Sequence, residues 1–280
     1  MDAGLGSTEQ GATWPSVAPA PRRHSGMLAR LLGQFVLVAG AYVAYRAVRI
    51  LTESDRSRAL RHADDVLTVE RWLGVDWERG AQDLVLDHRA WVDLCNVLYT
   101  WLFWPTVIGA LVVLYVWDRA RYRIYRNALF VSGAIGLLVF AAFPLAPPRM
   151  LPGYVDTVVV FSHQASLAHP APFMNQYAAM PSFHVGWTVL AGLALMPLAR
   201  HRVSRGALLL PGVAMAVTVV VTANHYVVDG VVGVALAGLG LWAATAMCRR
   251  SRADHEILDV ATQRAYPARH YARPGVPRGG

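Results

Sequence analysis

The chain contains no lysine: all 26 of its basic residues are arginine, and against 18 acidic residues they give a formal net charge of +8. Charge is scarce overall, because only 16% of the 280 residues are charged and 55% are hydrophobic, whereas an ordinary soluble domain carries about 25% charged residues. The apolar residues form runs close to the ~20 residues that cross a bilayer as a helix. We therefore predict an integral membrane protein that contacts the lipid bilayer and not nucleic acid, with the arginines orienting the chain in the membrane.

Cysteine is nearly absent, since the chain contains only Cys95 and Cys248. The topology predicted below places them on opposite membrane faces, which argues against a disulfide within the chain. Neither cysteine has partners at the spacing of a metal site or of a cysteine nucleophile. We expect no metal and no cofactor.

The pattern of apolar runs divides the chain into three regions. Residues 1–26 are rich in Gly, Pro, Ser and Ala and are predicted to be a disordered tail. Residues 27–248 contain the apolar runs and form one predicted membrane domain, and residues 249–280 form a basic tail that we place in the cytoplasm. We find no internal repeat and no second domain.

The predicted fold class is an all-α integral membrane protein, a six-transmembrane-helix bundle with an amphipathic interfacial segment between its first two spans. The six spans cover residues 31–50, 91–117, 127–147, 181–199, 206–223 and 226–247. In the interfacial segment, apolar residues from Val66 to Leu73 are interleaved with charged ones, a pattern typical of a helix lying at the membrane surface. A second short helix is expected around Leu84, Val85 and Leu86.

Arginine clusters between the later spans indicate the orientation of the chain. Three clusters fall on one face, and the positive-inside rule makes that face cytoplasmic, together with both termini. They comprise Arg119, Arg121, Arg123 and Arg126, then Arg200, Arg202 and Arg205, then Arg249, Arg250 and Arg252. The arginines flanking the outer end of the first span oppose this orientation, namely Arg46, Arg49, Arg56, Arg58 and Arg61.

Two short motifs place ionisable side chains at the ends of apolar segments, where burying charge is costly and usually functional. They are A-M-P-S-F-H-V-G at residues 179–186 and A-N-H-Y-V-V-D-G at residues 223–230. Asp229 follows His225 by four residues and so shares its helix face. With His184 and with Arg149 after the third span, the predicted topology collects these groups at the outer membrane face.

Such a set of groups suits phosphoryl transfer, which requires a nucleophile, an acid and neutralisation of phosphate charge. His225 can attack phosphorus as neutral imidazole, with Asp229 fixing its tautomer, and His184 can protonate the leaving oxygen. Arg149 can bind two phosphate oxygens at once.

The start of the fourth span offers a second means of binding phosphate. Pro181 suits the first turn of a helix and would leave the amides around Ser182 and Phe183 to meet an anion. Asn224 or Asn175 can assist Arg149.

The motifs P-S-F-H and H-Y-V-V-D resemble the second and third motifs of the type-2 phosphatidic acid phosphatase superfamily, P-S-G-H and S-R-x5-H-x3-D. Together with P-P-R at 147–149 and N-Q-Y-A-A-M-P-S-F-H-V-G-W, they resemble the branch that contains fungal inositol phosphorylceramide synthase and its bacterial relatives, over residues 60 to 247. The resemblance implies a metal-independent enzyme that acts on membrane lipid phosphates through a phosphohistidine. It implies that His225 is the nucleophile, Asp229 its supporting carboxylate and His184 the acid for the leaving group.

The chain departs from the superfamily motifs at four positions. Phe183 stands where many members have glycine, and Ala142 stands where the first motif has lysine. Thr218 and Val219 replace the serine and arginine of the third motif. Arg149, with Asn224 beside His225, is therefore expected to carry most of the phosphate binding.

Four functions remain open from the sequence. A phosphotransferase of the inositol phosphorylceramide synthase type passes the phosphoryl group to an alcohol, whereas a lipid phosphate phosphatase or a polyprenyl (di)phosphate phosphatase passes it to water. A lipid transporter is the alternative of another class, but transporters usually show repeats with broken helices near the midplane, and we find none in the sequence.

Overall fold

The structure is a computed structural model that describes residues 25–53, 55–161 and 175–265. The chain divides into two compact units, residues 1–43 and residues 44–280. Residues 1–24 of the predicted N-terminal tail and residues 266–280 of the predicted C-terminal tail lie outside the described residues. The three-region division of the chain therefore stays a prediction.

The secondary structure of the described residues is helical, apart from one isolated bridge between Leu145 and Ala178. The α-helices are α1 (Ser25–Glu53), α2 (Arg56–Leu73), α3 (Glu78–Leu86), α4 (Arg89–Trp101), α5 (Phe103–Trp117), α6 (Arg119–Ala142), α7 (Thr157–Phe161), α8 (Phe183–Leu195), α9 (Arg202–Ala207), α10 (Leu210–Val221) and α11 (Val227–Ala265). Short 3₁₀ helices cover Pro148–Met150 and Met196–Leu198.

Three helical stretches of the described residues are long and apolar enough to cross a membrane: Arg119–Ala142, Arg202–Val221 and Val227–Arg250. Helices α4 and α5 form a fourth if this pair, bent by 43°, is counted as one broken span. Large apolar side chains such as Val112, Leu138 and Val217 are exposed on these helices, as expected of residues that face lipid. These features indicate an all-helical membrane protein.

By helix length and hydropathy, the described residues do not reproduce the predicted count of six spans. The predicted fourth span, 181–199, corresponds to the shorter apolar helix Phe183–Leu198, and the predicted first span, 31–50, lies within α1. The predicted span 91–117 is interrupted at Leu102, between α4 and α5. The six-helix bundle therefore stays a prediction beyond the three or four candidate spans.

The arginine cluster assigned to the connection before the third span is helical. Helix α6 begins at Arg119, because the Asp118 side chain caps it by accepting hydrogen bonds from the amides of Ala120 and Arg121. The arginines thus occupy the first turns of a long helix, beside its apolar part.

The interfacial segment between the first two predicted spans forms α2 and α3. On α2, Val66 and Glu70 are buried, whereas Val69 and Trp72 are exposed, Trp72 to 84%. Ala59 and Ala63 are also buried, and exposed charged residues such as Arg61 share the outer face with Val69 and Trp72, a pattern that suits a helix at the membrane interface. Glu70 thereby points toward the site described next.

Candidate active site

The structure brings the predicted site residues to one place at the ends of different elements. The imidazole rings of His184, at the start of α8, and His225, just before α11, have centroids 5.6 Å apart. Asp229 lies on the first turn of α11, whereas His225 precedes the helix, so the predicted shared helix face is wrong and the two side chains meet across the helix start. Arg149 reaches the same place from the 3₁₀ turn Pro148–Met150 and donates from Nη1 to Asn224 Oδ1 at 2.6 Å.

The orientation of the His225 ring is set by two oxygen acceptors. Its Nδ1 lies 2.7 Å from the main-chain carbonyl oxygen of Ala179 and 3.4 Å from Asp229 Oδ2. Because a carbonyl and a carboxylate can only accept, Nδ1 carries the proton, and Nε2 is the nitrogen with a free electron pair in the neutral ring. The sequence pointed to Asp229 as the group that fixes this tautomer, but the shorter contact is to Ala179.

Asp229 joins the two sequence motifs while being fully buried. Its Oδ2 accepts from the Tyr226 amide at 3.0 Å, the carboxylate arm of a capping box at the start of α11. Its main-chain carbonyl accepts from the Ser182 amide, also at 3.0 Å. The start of α8, which carries His184, is therefore tied directly to the start of α11.

The start of α8 differs in detail from the sequence prediction. The helix begins at Phe183 with Ser182 as its N-cap, so Pro181 precedes the cap instead of occupying the first turn. The Ser182 amide is engaged by Asp229 and is not available to an anion. The amides of Phe183 and His184 belong to the first turn, where an α-helix offers them no acceptor of its own. The Ser182 hydroxyl is buried, with no hydrogen-bond partner among the described residues.

Arg149 is held on three sides. Its amide donates to the Ala223 carbonyl at 2.8 Å, and its Nε lies 3.2 Å from Asp156 Oδ2. With Asn224 on Nη1, the guanidinium has a fixed orientation, and the side chain is only 9% exposed. Asp156 is a site residue that the sequence did not single out, since a lone aspartate in a loop carries no motif.

The turn between α10 and α11 positions Asn224 and His225 through a Schellman motif. Ala223 takes the left-handed conformation with φ 53° and donates to the Val220 carbonyl. The amides of Asn224 and His225 both donate to the Val219 carbonyl, at 2.9 and 3.1 Å. A non-glycine residue in this conformation is strained by about 1–3 kcal/mol, and such strain is usually stored at functional sites.

A model of the PAP2 superfamily matches residues 64–243. The chain belongs to the PAP2 superfamily. Members of this superfamily are generally phosphatases, and membership indicates an enzyme that acts on lipid phosphates as a phosphatase or phosphotransferase. No curated protein and no solved structure gives a significant match to the chain.

Phe183, which departs from the glycine of the PAP2 motif, is accommodated by a glycine elsewhere. A Cβ atom on Gly136 of α6 would lie 2.7 Å from Phe183 Cε2 and closer still to Cζ. The Phe183 ring also meets Phe140 edge-on, with centroids 5.7 Å apart. The ring packs on α6, whereas the neighbouring His184 ring packs against His225.

Val219 occupies the position of the arginine in the third PAP2 motif. Its side chain is buried in a cluster of apolar residues that includes Val185 and Met215. Val219 therefore packs in the core, whereas the arginine that the structure places beside Asn224 is Arg149.

Two aromatic neighbours of the site could not be recognised from the sequence. Tyr99 and Phe103 pack against the His184 ring, with centroid distances of 5.1 and 4.7 Å. They come from the break between α4 and α5, so the bend places two aromatic rings beside this histidine. Across the described residues, no group of three or more His, Cys, Asp or Glu is arranged to hold a metal ion.

Proposed function

We propose that this PAP2 superfamily protein cleaves or transfers a lipid-linked phosphoryl group through a phosphohistidine at His225. The observation that carries the proposal is the Nδ1 contact of His225 with the Ala179 carbonyl at 2.7 Å, next to the His184 ring. A ring protonated and held at Nδ1 presents Nε2 as a nucleophile.

The reaction then proceeds in two displacements. His225 Nε2 forms a bond to phosphorus as the bond from phosphorus to the leaving oxygen breaks, and His184 gives that oxygen a proton. In the second step His184 takes a proton from water or an alcohol, whose oxygen displaces Nε2 from phosphorus. Asp229, 3.4 Å from Nδ1, stabilises the positive charge that the ring carries while phosphorylated.

Phosphate charge is neutralised by groups that the protein holds in place. Asp156 engages the single hydrogen of Arg149 Nε and Asn224 accepts one of the two on Nη1, so Nη2 and the second Nη1 hydrogen can donate to phosphate oxygens. The Ser182 hydroxyl and the Phe183 amide at the start of α8 supply further donors.

Within this chemistry we favour a phosphotransferase of the inositol phosphorylceramide synthase type, which is supported by the motif resemblance. Purified protein in detergent is to be assayed against labelled phosphatidate, polyprenyl phosphates and phosphatidylinositol, with and without alcohol acceptors. Phosphorylated alcohol as the main product supports transfer, and free phosphate regardless of acceptor supports a lipid or polyprenyl phosphate phosphatase. Turnover of none of these lipids contradicts the proposal.

We further propose that the site faces the outside of the cell membrane, with both termini in the cytoplasm. Gln176 precedes α8 and Ser204 follows its far end, and both are exposed. In a chain with Cys95 and Cys248 replaced by alanine, an impermeant thiol reagent is expected to label Gln176→Cys in intact cells. Ser204→Cys should react only after permeabilisation. The opposite pattern would invert the topology.

Activity is expected to survive chelation, because Arg149 and helix-start amides neutralise the phosphate in this proposal. Vanadate should inhibit, since its trigonal-bipyramidal form resembles phosphorus under attack. Initial rates in EDTA, with and without added vanadate, check both expectations. Activity lost in EDTA and restored by Mg²⁺ or Zn²⁺ would contradict this account of the site.

A further inference from the structure

Two glutamates from outside the candidate membrane spans bind the start of α11. Glu70 Oε1, on α2, accepts from the Val228 amide at 2.8 Å, and Glu78 Oε1, on α3, accepts from the Val227 amide at 2.7 Å. Asp229 takes the preceding amide, that of Tyr226. Three carboxylates thus engage the three consecutive amides that follow His225.

Burial makes this arrangement unusual. Glu70 and Glu78 are both fully buried, and the Oε2 atom of each has no amide or hydroxyl donor among the described residues. Their Oε1 atoms accept from adjacent amides, those of Val227 and Val228, so the two carboxyl groups are neighbours at the helix start. Two neighbouring buried carboxyl groups are most stable when one of them is protonated and donates a hydrogen bond to the other.

The surroundings favour keeping that proton at neutral pH. Burial, reinforced by the negative charges of Glu78 and Asp229, raises the pKa of Glu70 from its usual range to about 8, although the Val228 amide opposes the shift. Among the described residues, Tyr154 and Tyr226 are further titratable groups near the pair. Arg79 and Asp76 act on Tyr154 and are the further charges on this side.

We propose that Glu70 and Glu78 share one proton and position His225 by clamping the first turn of α11, so that the catalytic geometry depends on that proton. When the proton is lost, three negative charges meet at one helix start, and their repulsion loosens the amide contacts next to His225. Both glutamates are positioning residues in this view, acting through α11 without touching the substrate. The catalytic consequence rests on the function proposed above, whereas the shared proton does not.

The activity test uses the shape of the pH profile with a phenolic phosphate ester, whose leaving group needs no proton from His184. In the wild type, kcat is expected to fall about tenfold between about pH 7 and about pH 9, as a single shared proton dissociates. Glu70→Gln keeps the acceptor for Val228 and can donate to Glu78 at every pH, so this fall should disappear. Asp64→Asn on exposed α2 surface is the matched control and should retain it. An unchanged alkaline fall in Glu70→Gln overturns the proposal.

A second measurement is independent of activity. Infrared difference spectra of the purified protein, titrated across the same pH range, should show one protonated carboxyl band that is missing in Glu70→Gln. The melting temperature of the wild type in detergent should fall as pH rises toward about 8, because a raised pKa makes the folded state hold the proton more tightly than the unfolded state. In Glu70→Gln this fall should be absent. Absence of the band in the wild type refutes the shared proton. An inactive wild type that shows the band refutes the proposed function alone.

Discussion

His225→Ala is expected to abolish formation of the phosphorylated enzyme with every substrate, a loss of at least about 10⁴-fold, since no other group in the proposal attacks phosphorus. His184→Ala should act selectively. With a poor alkoxide leaving group the first step should slow by about 10²- to 10⁴-fold, and with a phenolic ester much less, because a phenolate departs without a proton. Rapid-quench trapping of the phosphoenzyme with both substrates measures the two effects.

The control for both substitutions is His201→Ala, which removes an exposed imidazole before α9 and should leave phosphorylation unchanged. The reverse outcome is well defined. If His184→Ala blocks phosphorylation by both substrates while His225→Ala still accumulates phosphoenzyme, the two histidines have exchanged roles.

A third substitution distinguishes the roles of the two acceptors that face His225 Nδ1, the Ala179 carbonyl and the Asp229 carboxylate. Asp229→Asn should lower the rate by about 10²- to 10⁴-fold through lost stabilisation of the charged ring. The Ala179 carbonyl remains to hold the proton on Nδ1, so the variant should still form phosphoenzyme slowly. A rate equal to that of His225→Ala would show that Asp229, and not Ala179, controls the tautomer.

The side chains of the candidate site could be predicted because they stand at the spacings of the motifs that the chain resembles. The four-residue spacing of His225 and Asp229 keeps the two side chains close even though His225 precedes α11, and P-S-F-H places His184 at a helix start. The contacts that orient them were not predictable. The Ala179 carbonyl belongs to the main chain, which carries no residue signature, and Asp156 becomes recognisable only when the fold sets it beside Arg149.

The fold was predictable at the level of composition and less so in detail. Hydropathy averages over a window, so the run 91–117 read as one span although it bends by 43° at Leu102. The sequence predicted that Glu70 lies on the polar face of an interfacial helix, because charged residues are rarely buried without partners. Its partner is an amide of α11, more than 150 residues away in the chain, and local patterns do not report such contacts.

The packing of α8 on α11 leads to the second large expected effect. A Cβ atom on Gly233 of α11 would lie 2.9 Å from the Ser182 carbonyl carbon and closer still to its oxygen. On the facing helix, a Cβ on Gly186 would lie 2.6 Å from the Gly233 carbonyl carbon. These are main-chain atoms, which cannot rotate away as a flexible side chain does. The two glycines therefore set how closely the helix of His184 approaches the helix of Asp229.

Gly233→Ala is thus expected to push α8 away from α11 and to lower the rate of phosphoenzyme formation by about 10²-fold, because a displacement of about 1 Å between reacting groups has that effect. The added strain should also cost about 1–3 kcal/mol of folding free energy. The matched control is Gly238→Ala on the same helix, where a Cβ meets nothing within 4 Å; it should keep full activity and gain about 1 kcal/mol from helix propensity. Single-turnover rates and melting temperatures of the two variants decide the matter. Equal activity in both would mean that the close approach of these helices does not set the distance between the two histidines.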